Sequence, residues 1–203
     1  MVEKYFDRRE KNIDPGGSER TSEIATFSKE QKKGLARLGY KYFYPLPRQT
    51  MADLREEGNR FWGTWYKDEF EKALSMGAEI ALNPRALFLA RSNNKTLSQQ
   101  ESMISRFSKE LGKEVPGVIA VMGEAPDYSG LAFAHKTATG VRLFGPGYDY
   151  GYARTNTPTS VSHVAIVGAF INDLGVVQLH RDYGLAKVWA VPLVVPKAAR
   201  LMG

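Results

Sequence analysis

Apolar side chains recur at three- to four-residue intervals through much of the first half of this chain and in short unbroken runs through the second, the spacings of helix and strand respectively. Residues 1–25 are polar, with turn formers at 14–18, and read as an arm that packs only in part. Ser28 followed by Gln31 fits a capping box, and Leu35 and Leu38 then give a short helix an apolar face up to Gly39. The aromatic run at 40–44 meets Pro45 and Pro47, so it should run extended, because proline excludes its predecessor from the helical region. Thr50 and Asp53 open a second helix that Gly58 interrupts. Trp62, Tyr66, Phe70, Ala73 and Leu74 then fall on one helical face, a core stripe that Gly77 stops.

Residues 79–82 and 86–90 are short apolar runs around an Asn83-Pro84 turn and are predicted as strands. Residues 96–99 are the clearest helix start in the chain, with Thr96 as cap, followed by Leu97, Ile104, Phe107 and Leu111 on one face of a helix that Gly112 should end. From Val115 the punctuation changes to Gly and Pro. Six strands are predicted at 118–122, 131–134, 141–144, 164–170, 176–179 and 187–195, with 137–140 as a hairpin loop. The run at 164–167 is apolar on both faces and should be central, whereas Pro192 demands an edge, a bulge or a break. Strand and helix do not alternate regularly there, which favours an antiparallel or mixed sheet. The expected class is α+β: a polar arm at 1–25, then one domain over 26–203, its helix-rich part (26–114) packed on a β-rich part (115–203).

Composition narrows the function more than the fold. The 203 residues are 43% hydrophobic and 25% charged, a globular balance, and contain no cysteine, which excludes a disulfide framework, a thiolate nucleophile and Cys-ligated zinc. No apolar run approaches the roughly 18–20 residues that span a bilayer, and the first residues lack a signal peptide's apolar core. The expectation is a cytoplasmic chain with no membrane partner. The net charge of +6 raises nucleic acid as a partner, with Lys32, Lys33, Arg37, Lys41 and Arg48 as the phosphate contacts. That charge is spread evenly, since 1–76, 77–114 and 115–203 each carry +2. A mixed solvated surface is therefore the first reading and nucleic acid the alternative.

Catalytic constellations are sparse. His135, His163 and His180 are the only histidines, and their spacing matches no common ligand motif, so no metal or other cofactor is expected. Ser162 beside His163 suggests a nucleophile and base, but adjacent strand residues face opposite sides and no Gly-x-Ser-x-Gly turn is present. Glu124 and Asp127 flank Pro126 and offer the carboxyl pair of a glycosidase or, more simply, a turn cap. The least ordinary stretch is 145–154, where Tyr148, Tyr150 and Tyr152 alternate among glycines before Arg154. Tyrosines shown from a loop give large amphipathic contact at low entropy cost, and Arg154 adds a bidentate donor.

The segments 152–157, 162–167 and 188–195 resemble the C-terminal half of bacterial C-type-lectin-like domains, in which a polar Thr-rich strand, an apolar strand and a final strand enclose a loop-rich ligand face. The chain as a whole also resembles bacterial and phage-associated proteins. The resemblance implies ligand binding rather than catalysis, with Asn172, Asp173, Gln178, His180, Arg181, Asp182 and Tyr183 displayed on the late strands and loops. The expected function is thus a non-enzymatic domain binding a protein or glycan through Tyr148, Tyr150, Tyr152, Arg154, Gln178, His180, Arg181, Asp182 and Tyr183. A basic nucleic-acid-associated protein and a hydrolase are the alternatives.

Overall fold

The structure, a computed structural model, describes residues 24–63, 68–146 and 150–201. In chain order the elements are α1 (Lys29–Arg37), β1 (Tyr42–Pro45), α2 (Met51–Glu56), β2 (Phe61–Trp62), α3 (Asp68–Glu71), β3 (Glu79–Leu82), α4 (Leu97–Glu114), β4 (Val118–Val121), α5 (Ala125–Thr139), β5 (Tyr152–Pro158), β6 (His163–Gly168), β7 (Leu174–His180), β8 (Val188–Trp189) and β9 (Leu193–Pro196). The class is α+β, with two sheets. One has the order β1-β3-β9-β4 and is antiparallel; the other runs β2-β7-β6-β5-β8 and is antiparallel in its centre with parallel pairings at both edges.

Capping boxes stand at three helix starts that the sequence marks, the first of them expected as such. Ser28, Thr50 and Thr96 each accept from the third helical N–H of α1, α2 and α4, while Gln31, Asp53 and Gln99 reach back to the cap. Gly112 does not end its helix as expected: α4 runs through it to Glu114, since a lone Gly inside an otherwise satisfied helix costs only about 1 kcal/mol. Residues 1–23 and Trp65 and Tyr66 lie outside the described residues. Ala25 and Phe27 are buried, and Ala25 bridges to Ala78, so packing begins inside the expected arm.

The layers follow from strand alternation. Ile80, Leu82, Leu193 and Val195 of the four-stranded sheet face α5, and on the other side of α5 stand Ala153, Ala165, Val167, Leu174 and Val176 of the five-stranded sheet. The opposite face of the four-stranded sheet, with Ala81, Ala120 and Val194, packs on Leu35 of α1 and Ile104 and Leu111 of α4. Strands from both halves of the sequence interleave in this sheet, so the helix-rich and β-rich parts share one core.

Helix α5 is the main correction. Residues 131–134 and 137–140, expected as a strand and a hairpin loop, lie within it or at its end, where Gly140 takes φ 74 as the left-handed cap; 141–144 is a turn. The reason is burial on both sides. A helix sandwiched between sheets is apolar nearly all round and shows no amphipathic period. Residues 86–90, also expected as a strand, are instead the end of a single helical turn, Pro84–Ala86, capped by Asn83, and an irregular stretch after it. The expected strand at 187–195 is broken at Pro192 into β8 and β9, which belong to different sheets.

Candidate functional site

The residues singled out in the sequence divide sharply by burial. Tyr148 lies outside the described residues. Tyr150 is 40% exposed at a positive φ of 48°, and Tyr152 is half-buried on the outer face of the five-stranded sheet. Arg154 has no solvent exposure at all, so it cannot be the surface donor that its position beside the tyrosines suggested. Its Nε donates to Gln100 Oε1 at 2.9 Å, and its terminal nitrogens donate to the carbonyls of Tyr183 at 2.6 Å, Lys95 at 3.2 Å, His180 at 3.3 Å and Arg181 at 3.5 Å. Burial draws its pKa down to about 10, which leaves it a cation at neutral pH. A buried guanidinium satisfied by backbone carbonyls is a clamp. It ties the start of α4 to the chain that leaves β7.

That exit is where the late candidates gather. His180 ends β7 and pairs directly with His163 of β6, and Arg181 N–H donates to the Ser162 carbonyl at 2.9 Å, so the 159–162 and 181–187 connections leave the sheet side by side. Gln178, Asp182 and Tyr183 are exposed, and His180 and Arg181 are partly so. The Tyr183 ring, 62% exposed, lies over the His180 imidazole with centroids 4.7 Å apart. Val161, in the neighbouring connection, is 98% exposed, and Leu185 is also open. Sequence reasoning missed Val161. Its only signal is an apolar residue among serines and threonines. Asn172 and Asp173, given by the lectin resemblance, lie at the other end of β7.

The two hydrolase constellations occupy different parts of the fold. Asp127 is buried at the N-terminus of α5, where Oδ1 accepts from Met76 N–H and Oδ2 from Glu124 N–H, both at 2.8 Å. Burial pushes its carboxyl up to about 7, and desolvation also raises Glu124, whose Oε2 accepts from the Thr157 hydroxyl at 2.5 Å. Neither lines the open groove of about 480 Å³ between α4 and β4, which Ser105, Lys109, Val121 and Asn156 border. Ser162 does reach its neighbour, because it precedes β6 and escapes the strand alternation; its Oγ and that of Ser160 each lie 3.0 Å from His163 Nδ1. No carboxylate orients that imidazole among the described residues, so the third member of a triad is missing.

His135 stands apart on α5. The Tyr44 hydroxyl and His135 Nδ1 share a hydrogen bond of 2.7 Å, and Tyr42 packs edge-on against the ring. No group of three or more His, Asp or Glu residues is placed to hold a metal among the described residues. Of the expected phosphate contacts, Lys32 is paired with Glu79 at 2.7 Å and lies over the Phe43 ring, while Lys33, Arg37, Lys41 and Arg48 are exposed. Among the described residues no helix is long and apolar enough to cross a membrane. Set against known proteins, the chain matches no family model, no curated protein and no solved structure.

Proposed function

We propose that this chain is a binding domain without catalytic activity, and that its recognition surface is the end of the five-stranded sheet formed by Val161, His163, Gln178, His180, Asp182 and Tyr183. The observation that carries the reading is the Arg154 clamp. A guanidinium withdrawn wholly from water spends its donors on the carbonyls of residues 180, 181 and 183, and so fixes the backbone from which Asp182 and Tyr183 face outward. Holding a loop in one conformation before contact lowers the ordering cost of binding. An aromatic ring on an imidazole, beside an exposed aliphatic residue and flanking polar groups, suits a glycan or a protein epitope with both apolar and hydrogen-bonding parts. The resemblance of the late segments to C-type-lectin-like domains supports the same use of this region.

The test is a screen of the purified protein on a glycan array and a displayed peptide library, repeated with Tyr183→Ala and Val161→Asp. The reading expects selective ligands whose binding both substitutions remove at unchanged Tm. Ligands that bind both variants as well as the parent would place recognition elsewhere and end it.

A further inference from the structure

We propose that His163 and His180 together chelate a divalent transition-metal ion of the zinc, nickel or copper type through their Nε2 atoms, with solvent or a partner's donor group completing the shell. The inference uses two residues of the surface proposed above without resting on that surface's ligand, and it departs from the expectation that the chain takes no metal. It begins with the register. Arg181 N–H donates to the Ser162 carbonyl, which makes Ser162 and Arg181 a hydrogen-bonded pair of the ladder and His163 and His180 the adjacent non-hydrogen-bonded pair. In an antiparallel sheet that is the position where opposite side chains come closest. The two histidines share the face that carries Ala165 and Val176, beyond the reach of the core, and both are partly exposed.

The two rings are 5.1 Å apart at their centroids, with planes at 83°. A metal about 2.1 Å from each Nε2 lies about 3.2 Å from each centroid, and a tetrahedral angle then separates the centroids by about 5.3 Å. The observed spacing is close to that value with nothing bound.

The other nitrogen of each ring is already engaged. His163 Nδ1 has the Ser160 and Ser162 hydroxyls at 3.0 Å, and His180 Nδ1 accepts from Asp182 N–H at 3.2 Å. That bond keeps the lone pair of His180 on Nδ1 and its proton on Nε2, so metal binding at Nε2 exchanges the tautomer: Nδ1 gives up the Asp182 N–H and takes the proton. Neither Nε2 has a hydrogen-bond partner among the described residues. In metal-bound histidines the nitrogen that does not bind donates its N–H to an outer acceptor, and the Ser160 and Ser162 hydroxyls stand where His163 Nδ1–H would donate. The Asp182 carboxylate, with Oδ2 3.9 Å from His180 Nδ1, adds negative charge beside the site. Two imidazoles without a carboxylate cage select borderline metals over magnesium or calcium, and two protein ligands leave at least two positions open. The site is thus an exchangeable surface one, unlike a closed structural zinc centre.

The experiment titrates the full, chelator-treated chain with zinc chloride and with nickel chloride, read by calorimetry and by the imidazole signals in nitrogen-correlated NMR. The proposal expects one saturable equivalent, shifts or broadening at His163 and His180, and no change at His135, which serves as the internal reference. It also expects His163→Gln, His180→Gln and the double variant to lose about the same 10- to 100-fold of affinity, because either change abolishes chelation. Circular dichroism establishes that each variant is folded, and the NMR reading of the unmodified chain needs no variant at all. Absence of saturable binding, or one equivalent held equally well by the double variant, overturns the proposal.

Discussion

Arg154 shows how a residue can be conspicuous in sequence for one reason and important in the fold for another. Next to alternating tyrosines it suggests an exposed donor, yet β5 turns it to the outer face of the sheet, where α4 and the 180–183 backbone close over it. Arg154→Met retains much of the stem's packing but leaves the Gln100 oxygen and several carbonyls without their donor, each worth about 1–3 kcal/mol when buried. The expected result is a fall of about 2–5 kcal/mol in unfolding free energy by denaturant titration. Faster hydrogen exchange confined to residues around 181–185 should accompany it. Asp127 carries a different signature. Its folded pKa of about 7 is above its ordinary value, so the native state holds a proton that the unfolded chain releases. Its contribution is therefore greatest at acid pH and is lost as pH rises through the interval from about 4 to 7. Denaturant midpoints measured across that interval should show the stability difference between the parent and Asp127→Asn shifting in favour of the parent as pH falls.

Elements whose ends are written in side chains were legible, and those whose identity depends on what surrounds them were not. Helices α1, α2 and α4 begin where the capping pairs stand, because the cap is a contact between residues three apart and needs no tertiary partner. Thr96→Ala should accordingly cost only about 1 kcal/mol, seen as a small drop in Tm with the α4 amides otherwise protected. Helix α5 gave no such periodic signal, since sheets cover it on both sides. Its small residues and Gly123 let backbones come close. A Cβ at Gly123 would stand 2.3 Å from Leu193 Cδ1 and 2.9 Å from Asp127 Oδ2, where the chain turns from β4 into α5. Gly123→Ala is expected to lose about 1–3 kcal/mol by overpacking, measured by thermal unfolding.

At the scale of the whole molecule, the five-stranded sheet brings to one end residues that are far apart in the chain, and this convergence underlies both functional readings. Val161→Asp and Tyr183→Ala should leave the unfolding free energy within about 0.5 kcal/mol of the parent's, as surface changes do, while removing whatever the surface recognises. The sequence alone determined the α+β class, the capped helices, the strands at 79–82, 118–121 and 164–168, and the region in which the exposed late candidates lie, because caps, turns and runs of apolar residues are local properties. Only the tertiary structure decided that residues 125–139 form a helix, that Pro192 parts two sheets and that Arg154 is sealed inside. It also set His163 against His180. Those outcomes depend on register and on burial by distant segments, and neither leaves a trace in the order of neighbouring residues.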